Sequence, residues 1–185
     1  MVSTFTLLLL ASKSSEKAPP VIINASSILS RLPFAFSAAY NASKAAVASH
    51  SDTLRIELEP LGIKVATLFM GEVATNLMSP DSIAFKDGII FVDVLEKTKE
   101  RSRNHARNSM APEEFAKQVV DQIVVKSSGL GKGEYLWKGT NSGVVWLLNA
   151  NGWRKVFDGL VKKLVGLDDK KVQKAILQRA QALVI

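Results

Sequence analysis

The sequence predicts an α/β fold that is built on a parallel sheet and followed by a helical C-terminal extension. Residues 21–26 form a β-branched run that is apolar on both faces, as in an interior parallel strand, and Ile63 to Met70 forms the next strand. Between them, residues 38–59 predict a helix that ends at Glu59-Pro60-Leu61-Gly62. A strand, a helix and a strand with short connections predict a right-handed parallel crossover, whose ligands bind beyond the carboxyl ends of the strands.

The other segments predict further helices and one more strand. Residues 1–13 are apolar and predict a buried helix that leads into the first strand, and the charged run from Glu96 to Arg107 predicts another helix. Pro112-Glu113-Glu114 is typical of a helix start, because proline fits the first turn and acids favour its positive end. We expect this helix to run to about Lys126, and residues 134–137 to form the last strand. The expected buried side chains of the Pro112 helix are Phe115, Val119, Val120 and Ile123.

The C-terminal extension, residues 141–185, combines apolar side chains at helical spacing with positive charge. Residues 151–185 contain eight Lys or Arg against three Asp, and therefore carry +5 of the net charge of +7. The stripes favour core or dimer contacts over a membrane anchor. The charge fits a solvated helix face, with an anionic partner such as a membrane surface as the alternative. The apolar positions are Val156, Phe157, Leu160, Val161, Leu164 and Val165, then Val172, Ile176 and Leu183.

Composition and spacing exclude several classes of protein. Hydrophobic residues make up 47% of the chain, which indicates a folded protein, and the absence of cysteine excludes disulfide and thiolate chemistry. His50 and His105 have no carboxylate or cysteine partners at ligand spacing, so no metal site is predicted. The basic tail lacks the aromatic interleaving of a nucleic-acid binder. The apolar opening is shorter than the roughly 20 residues of a membrane span, and it lacks the positive start of a signal peptide.

Three side chains predict chemistry on a carbonyl group. Tyr40 and Lys44 are four residues apart in a helical segment, so they lie on one face, one turn apart. The pKa of a free tyrosine is about 10, and a nearby ammonium group lowers it, so Tyr40 is a candidate general acid tuned by Lys44. Ser27 ends the strand-like run thirteen residues earlier, where its hydroxyl can reach the same substrate oxygen. This arrangement favours carbonyl reduction.

These residues lie within a longer pattern that resembles a known family. Ile22-Ile23-Asn24-Ala25-Ser26-Ser27, then Pro33, then Tyr40-Asn41-Ala42-Ser43-Lys44-Ala45-Ala46-Val47 closely resembles the active-site half of the short-chain dehydrogenase/reductases. Gly71-Glu72-Val73-Ala74-Thr75 resembles the Pro-Gly-x-Val-x-Thr cofactor turn of that family, with Met70 in place of the usual proline. The resemblance is sharp over residues 1–80. Tyr135-Leu136-Trp137-Lys138-Gly139 and the tryptophan-bearing tail make the fungal NADPH-dependent 1-acyldihydroxyacetone-phosphate reductase-like members the nearest branch.

The resemblance implies the catalytic roles. Ser27 would hydrogen-bond the carbonyl oxygen of a ketone or aldehyde, and Tyr40 would donate the proton as hydride arrives from the nicotinamide. Lys44 would lower the pKa of the tyrosine and hold the nicotinamide ribose hydroxyls. The substrate would be a small carbonyl compound, lipid-like in the nearest branch, as in an acyl-dihydroxyacetone phosphate. Residues 76–108 would form a mobile substrate lid.

The resemblance also implies a cofactor and a cellular setting. Tyr40 and Lys44 would also bind the cofactor, and Gly71, Val73 and Thr75 would hold the carboxamide and pyrophosphate side of NADP(H), with NAD(H) as the open alternative. The protein would be intracellular, either cytoplasmic or peripheral on the endoplasmic reticulum or lipid droplets through its basic tail. A homo-oligomer is a further expectation, and no nucleic-acid partner is predicted.

The sequence lacks the motifs of the first half of the family. It contains no Thr-Gly-x-x-x-Gly-x-Gly turn and no Asn-Asn-Ala-Gly segment. The expected fold is therefore the C-terminal half of a Rossmann-like doubly wound sheet, with residues 1–140 as a partial domain and 141–185 as its extension. Residues 21–26 would then form an open apolar edge, and Met1 would be an internal methionine of a longer protein. The alternative function is a truncated, non-catalytic remnant that serves as an interaction or membrane-surface module.

Overall fold

A three-stranded parallel sheet organises the chain. The computed structural model describes residues 2–12, 19–79, 83, 90–125, 135–151 and 155–182. Within them the strands are β1 (Val21–Ser27), β2 (Lys64–Met70) and β3 (Tyr135–Lys138), paired in the order β1-β2-β3. β1 pairs with β2 from Val21 opposite Lys64 to Ser27 opposite Met70. The predicted α/β fold class is confirmed, because both strand pairs are parallel and helices connect the strands.

Seven helices are described around this sheet. They are α1 (Val2–Ser12), α2 (Ala38–Leu58), α3 (Leu95–Asn108), α4 (Pro112–Val120), α5 (Ser142–Ala150), α6 (Val156–Val165) and α7 (Lys170–Ala182). A short π-helical segment, Asp121–Val125, follows α4. The predicted helix–strand order from α1 to β3 agrees with the structure. Predicted helical residues 126 and 183, and the start of the predicted last strand at residue 134, lie outside the described residues.

Two apolar clusters cover the two faces of the sheet. On one face, Leu54 and Leu58 of α2 pack with Ile63 and Val65, and partly buried side chains of α1 join them. On the other face, Ala66, Leu68 and Leu136 form a buried cluster. Phe115, Val119 and Ile123 pack against this second cluster, as the helical spacing predicts. Burying a side chain of this size stabilises the fold by about 1.5–3 kcal/mol, so these two clusters are what hold helices and sheet together.

The connection from α2 to β2 is tight because it ends in a left-handed glycine. α2 runs into a 3-10 turn at Glu59–Leu61, and Gly62 then adopts φ 69°, which a residue with a side chain rarely takes. The Lys64 amide donates to the Pro20 carbonyl at 2.9 Å and so starts the pairing of β2 with β1. The predicted helix stop at Glu59–Gly62 therefore also aligns the two strands.

β1 lies at an edge of the described sheet. It pairs with β2 on one side, and no second neighbour is found among the described residues. Ile23, on this strand, leaves 38% of its surface exposed, although the run reads as an interior strand. This agrees with the expected open apolar edge.

A third cluster joins the C-terminal helices to the segment after β1. Ile28 is buried with Val145 of α5 and with Phe157 and Val161 of α6. The spacing that predicts a helix at 156–165 is therefore correct, with Phe157, Val161 and Val165 facing inward. The boundary at residues 140/141 stays a prediction, and Leu183 lies outside the described residues. None of the described helices combines the length and the apolarity needed to cross a lipid bilayer.

Two burial predictions are wrong. The helix at 1–13 is not buried all round: Phe5, Leu7 and Leu8 are exposed, and among its described side chains Leu9 and Leu10 contact the core. An apolar helix that packs on one face of a sheet edge leaves its outer face uncovered. Val120, expected to be buried, is 53% exposed, because it lies off the stripe that Phe115, Val119 and Ile123 direct at the sheet.

Candidate functional site

The carboxyl ends of β1 and β2 lie side by side and carry two of the predicted site residues. Ser27 stands opposite Met70 in the sheet, so Gly71 follows directly at the same edge. Ser27 is 6% exposed, and its Oγ accepts a hydrogen bond from the Leu29 amide at 3.2 Å. A hydroxyl that accepts here still has its own proton to donate. Ser27 is thus oriented by the turn that follows it and keeps a donor for a ligand.

Two hydrogen bonds fasten α2 to the end of β1. Ser26, which is fully buried, donates from Oγ to the Lys44 carbonyl at 2.9 Å. Lys44 Nζ donates back to the Ala25 carbonyl at 3.2 Å. These two hydrogen bonds hold Lys44 beside the end of β1. Ser26 was not among the predicted site residues; its signal in the sequence is the Ser26-Ser27 pair, where only the second serine matches the motif.

Tyr40 lies one helical turn from Lys44 on the side toward the carboxyl edge. Lys44 Nζ is 5.7 Å from the centre of the Tyr40 ring. α2 runs antiparallel to β1, since its start follows the β1 loop and its end packs against Ile22. Four helical residues rise about 6 Å and two strand residues about 6.6 Å, so Tyr40 is level with Ser27 when Lys44 is level with Ala25. The predicted trio thus occupies one end of one strand–helix pair.

The loop between Ser27 and Tyr40 is held in an unusual conformation. Phe36 has φ 65°, in the left-handed region that bulky side chains rarely adopt. Asn41, next to Tyr40, donates from Nδ2 to the Leu32 carbonyl at 3.2 Å. Strained backbone of this kind persists only where its surroundings over-determine it, and it is concentrated at functional sites. The left-handed turn at Phe36 and the Asn41–Leu32 bond thus constrain the backbone just before Tyr40.

The predicted cofactor turn is anchored to the segment after β3. The Gly71 amide donates to the Lys138 carbonyl at 2.7 Å, and Glu72 pairs with Thr140 through two backbone hydrogen bonds. A Cβ on Gly71 would clash with the Thr140 carbonyl oxygen, so close approach of backbone explains the glycine. Val73 forms a bridge with Met110, and Thr75 is exposed at the start of a 3-10 turn. Gly71 thus joins Ser27 at the sheet edge, while Val73 and Thr75 lie progressively farther along the turn.

A charged cluster that the sequence did not reveal lies against this turn. Arg101 of α3 is 3.7 Å from the Glu72 carboxylate, and its guanidinium lies 4.1 Å over the Phe34 ring. Burial lowers the pKa of Arg101, and the charge of Glu72 opposes that effect. Burial also lowers the pKa of His105; Glu72 raises it and Arg101 lowers it further. Only the i, i+4 spacing of Arg101 and His105 could have indicated that they share a helix face.

The predicted lid is described only in part. Residues 80–82 and 84–89 lie outside the described residues, while the charged run from residue 95 onward forms α3 as predicted. α3 packs against α6, with Val94 just before it almost fully buried. Substrate coverage by residues 76–108 therefore stays a prediction.

The residues at the strand ends fit one end of a nicotinamide dinucleotide. An ammonium group has three N–H donors, and Lys44 commits one to the Ala25 carbonyl, so donors remain for ribose hydroxyls. A glycine-rich turn that would cradle a pyrophosphate does not occur in the 185 residues. The fit thus covers the nicotinamide and its ribose. The roles of Ser27, Tyr40, Lys44, Gly71, Val73 and Thr75 stay predictions.

Comparison with known proteins gives matches over most of the chain. Residues 1–83 match the short chain dehydrogenase family. The chain is 34% identical over 170 residues to the short-chain dehydrogenase srdE of Neurospora crassa, covering 90% of this chain and 54% of that protein. It is 36% identical over 136 residues to the NADPH-dependent 1-acyldihydroxyacetone phosphate reductase of Schizosaccharomyces pombe, covering 70% and 44%. The chain thus spans about half the length of the relatives it matches.

A solved structure supports the fold. A short-chain dehydrogenase from Streptomyces avermitilis aligns with a TM-score of 0.53 and 23% identity, covering 80% of this chain and 52% of that one. At this level of identity the likeness extends to the fold alone. The parallel sheet with helices on both faces is therefore of the Rossmann-like type.

Proposed function

The chain belongs to the short-chain dehydrogenase/reductase family, and from this premise we propose that it takes part in reducing a ketone or an aldehyde to an alcohol with a nicotinamide dinucleotide. NADPH is the proposed form, because the name of the Schizosaccharomyces pombe relative states its use there. The cofactor supplies the hydride. The remaining steps fall to side chains at the ends of β1 and α2.

Three side chains divide the work on the carbonyl oxygen. Ser27 donates its free hydroxyl proton in a hydrogen bond that orients the carbonyl, since its Oγ already accepts from the Leu29 amide. Tyr40 gives its proton to the oxygen as negative charge develops there. Lys44 stabilises the resulting phenolate by its charge and binds the ribose hydroxyls with its remaining donors.

One observation carries this proposal. Lys44 Nζ lies within reach of both the Ala25 carbonyl, at 3.2 Å, and the Tyr40 ring, at 5.7 Å to its centre. A surface lysine without a joint role would extend into solvent, where its entropy is largest. Here the ammonium group is instead held between the strand that ends in Ser27 and the tyrosine of the same motif.

The proposed substrate is a lipid-like ketone. The name of the Schizosaccharomyces pombe relative specifies a 1-acyldihydroxyacetone phosphate, which carries a ketone beside an acyl ester and a phosphate. Exposed apolar side chains near the candidate site, Phe36 of the loop and Phe91 before α3, meet edge to face at 5.4 Å between ring centres. They would offer an apolar surface to an acyl chain.

NADPH titration of the purified chain tests the proposal. We expect binding to enhance NADPH fluorescence, and Lys44→Met to weaken binding about tenfold or more, as loss of a charge-assisted hydrogen bond predicts. Tyr40→Phe should weaken NADPH binding less than Lys44→Met does, because the charge of Lys44 remains, but should slow reduction of 1-acyldihydroxyacetone phosphate by a factor of about 100 or more.

The chain offers a matched control. Tyr135→Phe removes the hydroxyl of its other tyrosine, which donates to Asp52 at 2.7 Å, and should leave the reduction rate unchanged. If wild-type chain does not bind NADPH, or if both tyrosine variants lose activity equally, the reductase proposal is wrong for this chain.

A second candidate function is attachment to an anionic membrane surface through the tail. Val156, Leu160 and Leu164 form an exposed apolar stripe on α6, and the exposed Lys163 flanks this stripe three residues after Leu160. Exposed apolar side chains beside lysines are typical of helices that lie on membrane surfaces. Such attachment is compatible with reductase activity, and it would be the remaining function if NADPH does not bind.

A further inference from the structure

Arg101 connects three parts of the candidate site. Its side chain is only 15% exposed and lies between the lid helix α3, the Glu72 carboxylate in the Gly71–Thr75 turn, and the Phe34 ring in the loop joining Ser27 to Tyr40. We propose that Arg101 is a positioning residue that latches α3 onto the cofactor turn and the Ser27–Tyr40 loop. The inference deepens the proposed function and rests on it for the meaning of the turn.

The backbone of Glu72, the partner of Arg101, is held by hydrogen bonds that do not involve Arg101. The Glu72 amide donates to the Thr140 carbonyl at 3.0 Å, and the Glu72 carbonyl accepts from the Thr140 and Met110 amides at 3.1 and 3.3 Å. Met110 lies two residues after the end of α3, so backbone bonds hold that end of the helix to the turn, while Arg101 contacts the turn from the middle of the helix. The Glu72 carboxylate, 26% exposed, presents a negative charge to α3.

A guanidinium stays charged at this depth, so a partner must offset its loss of hydration. Removing a cation from water is costly. A carboxylate within 4 Å offsets this cost, and an aromatic face beside the cation contributes a further favourable interaction. Arg101 has both, with Glu72 at 3.7 Å and the Phe34 ring centre at 4.1 Å. If α3 moved away, Arg101 would return to water, but Glu72 would lose its counter-charge. The contact therefore favours the arrangement in which α3 packs on the turn.

A second contact links the same two segments. Phe36, at the strained position of the Ser27–Tyr40 loop, meets Phe91 just before α3 at 5.4 Å between ring centres. The 3-10 turn just before α3 (Val92–Val94) is held elsewhere, because Arg179 of α7 pairs with its Asp93. The contacts with α6 and α7 would anchor the lid segment to the tail; Arg101 and Phe91 connect it to the site.

Hydrogen–deuterium exchange of the full chain tests the latch without a cofactor. Arg101→Met keeps the aliphatic stem and removes the charge, and Glu72→Gln removes the partner charge. We expect either variant to speed exchange of amides in both 72–75 and 95–108 by about tenfold, while β1 and β2 keep their protection. Lys99→Met, on the same helix, is the control, because Lys99 pairs only with Glu96 of its own helix at 3.8 Å in the described part of the chain.

Rescue separates positioning from a general structural role. Arg101→Lys should keep most of the amide protection of the wild-type chain. The double charge reversal Glu72→Arg/Arg101→Glu should show more protection than either single charge reversal. The latch is wrong if Arg101→Met leaves amide exchange in the turn unchanged. It is also wrong if this variant speeds exchange throughout the chain and Arg101→Lys does not restore protection, or if the effects of the two charge reversals on exchange are additive.

NADPH separates this inference from the proposed function. Where the wild-type chain binds NADPH, Arg101→Met should raise the dissociation constant several-fold, because the turn is less often in its binding conformation. An unchanged constant overturns the role in positioning the cofactor turn. Where the wild-type chain binds no NADPH, the reductase proposal fails, and the exchange pattern alone decides whether Arg101 latches α3.

Discussion

Single side chains at the strand ends are fixed mainly by backbone partners. Ser26 bonds the Lys44 carbonyl, Lys44 bonds the Ala25 carbonyl, and Ser27 accepts from the Leu29 amide. Backbone atoms move less than side chains, so these bonds define positions better than contacts between two flexible side chains would. The packing of α2 against the end of β1, across 18 and 19 residues of chain, therefore places these groups.

At this scale the sequence was informative for the motif and uninformative for its surroundings. Ser27, Tyr40 and Lys44 could be selected because strand alternation and helical spacing are local rules. Arg101 and Glu72 are 29 positions apart and come together only through the packing of α3 over the turn. No local pattern encodes such a contact.

The pH dependence of stability offers a test of the cluster around His105. Burial lowers the pKa of His105 below its ordinary value of 6.5, with Glu72 opposing and Arg101 adding to the effect. The unfolded chain then binds more protons than the folded chain between the lowered pKa and 6.5. Stability should therefore be complete above pH 6.5 and fall as the pH drops toward the folded pKa. His105→Gln should flatten this fall in denaturant titrations between about pH 5 and 8.

The matched control is His50→Gln, which removes the other histidine of the chain from the exposed surface of α2. It leaves Glu72, Arg101 and His105 in place. Equal flattening by the two variants would show that the burial of His105 does not carry the effect.

Among the elements, the contact between the turn after β2 and the segment after β3 depends on a glycine. Gly71→Ala would place a methyl group against the Thr140 carbonyl oxygen and 2.9 Å from the Gly139 carbonyl carbon, and neither backbone group can rotate away. Overpacking of this kind costs about 1–3 kcal/mol. We expect the urea midpoint of Gly71→Ala to fall accordingly, with the Glu72–Thr140 bridge weakened.

Gly159→Ala provides the control. A Cβ at Gly159, in α6, meets nothing within 4 Å, and alanine is favoured over glycine inside a helix by about 1 kcal/mol. This variant should be neutral or more stable than the wild-type protein. If Gly71→Ala behaves in the same way, close backbone approach is not the reason for glycine at the turn.

Element types were more predictable than element environments. α2 and β2 carry periodic patterns and a glycine stop, so their bounds could be predicted to within a residue or two. The exposure of Phe5, Leu7 and Leu8 could not, because a strongly apolar helix looks buried until its neighbours are known. The burial of Val120 was wrongly predicted for a related reason. Helical spacing indicates which side of a helix faces the core, but it does not fix how wide the buried stripe is.

For the whole molecule, the tail is a packed layer rather than a separate appendage. Phe157 and Val161 share a buried cluster with Ile28, which directly follows Ser27. The neighbouring face of α6, about 100° around the helix from the buried one, leaves Val156, Leu160 and Leu164 exposed, and Leu160 is 57% exposed. Because α6 packs against the segment that follows Ser27, the site would lie near any membrane to which this exposed face binds.

Co-sedimentation with lipid vesicles tests this attachment. Vesicles rich in phosphatidylserine should bind the chain more strongly than pure phosphatidylcholine vesicles, and added salt should weaken the binding. Each lysine near an anionic surface contributes about 1 kcal/mol, so Lys163→Glu, which also reverses the charge beside the apolar stripe, should reduce binding by about fivefold or more. Leu160→Ser/Leu164→Ser should reduce it as well, because the apolar stripe then loses its burial in the interface.

Controls outside α6 decide whether the effect belongs to this helix. Lys117→Glu alters an exposed lysine on α4, and Leu177→Ser alters an exposed leucine on α7. If the lysine control matches the α6 lysine variant, net charge alone drives binding; if the leucine control matches the α6 leucine variant, the apolar stripe has no special role. Equal binding to neutral vesicles would exclude charge. Attachment through α6 therefore requires that both α6 variants lose binding while both controls retain it.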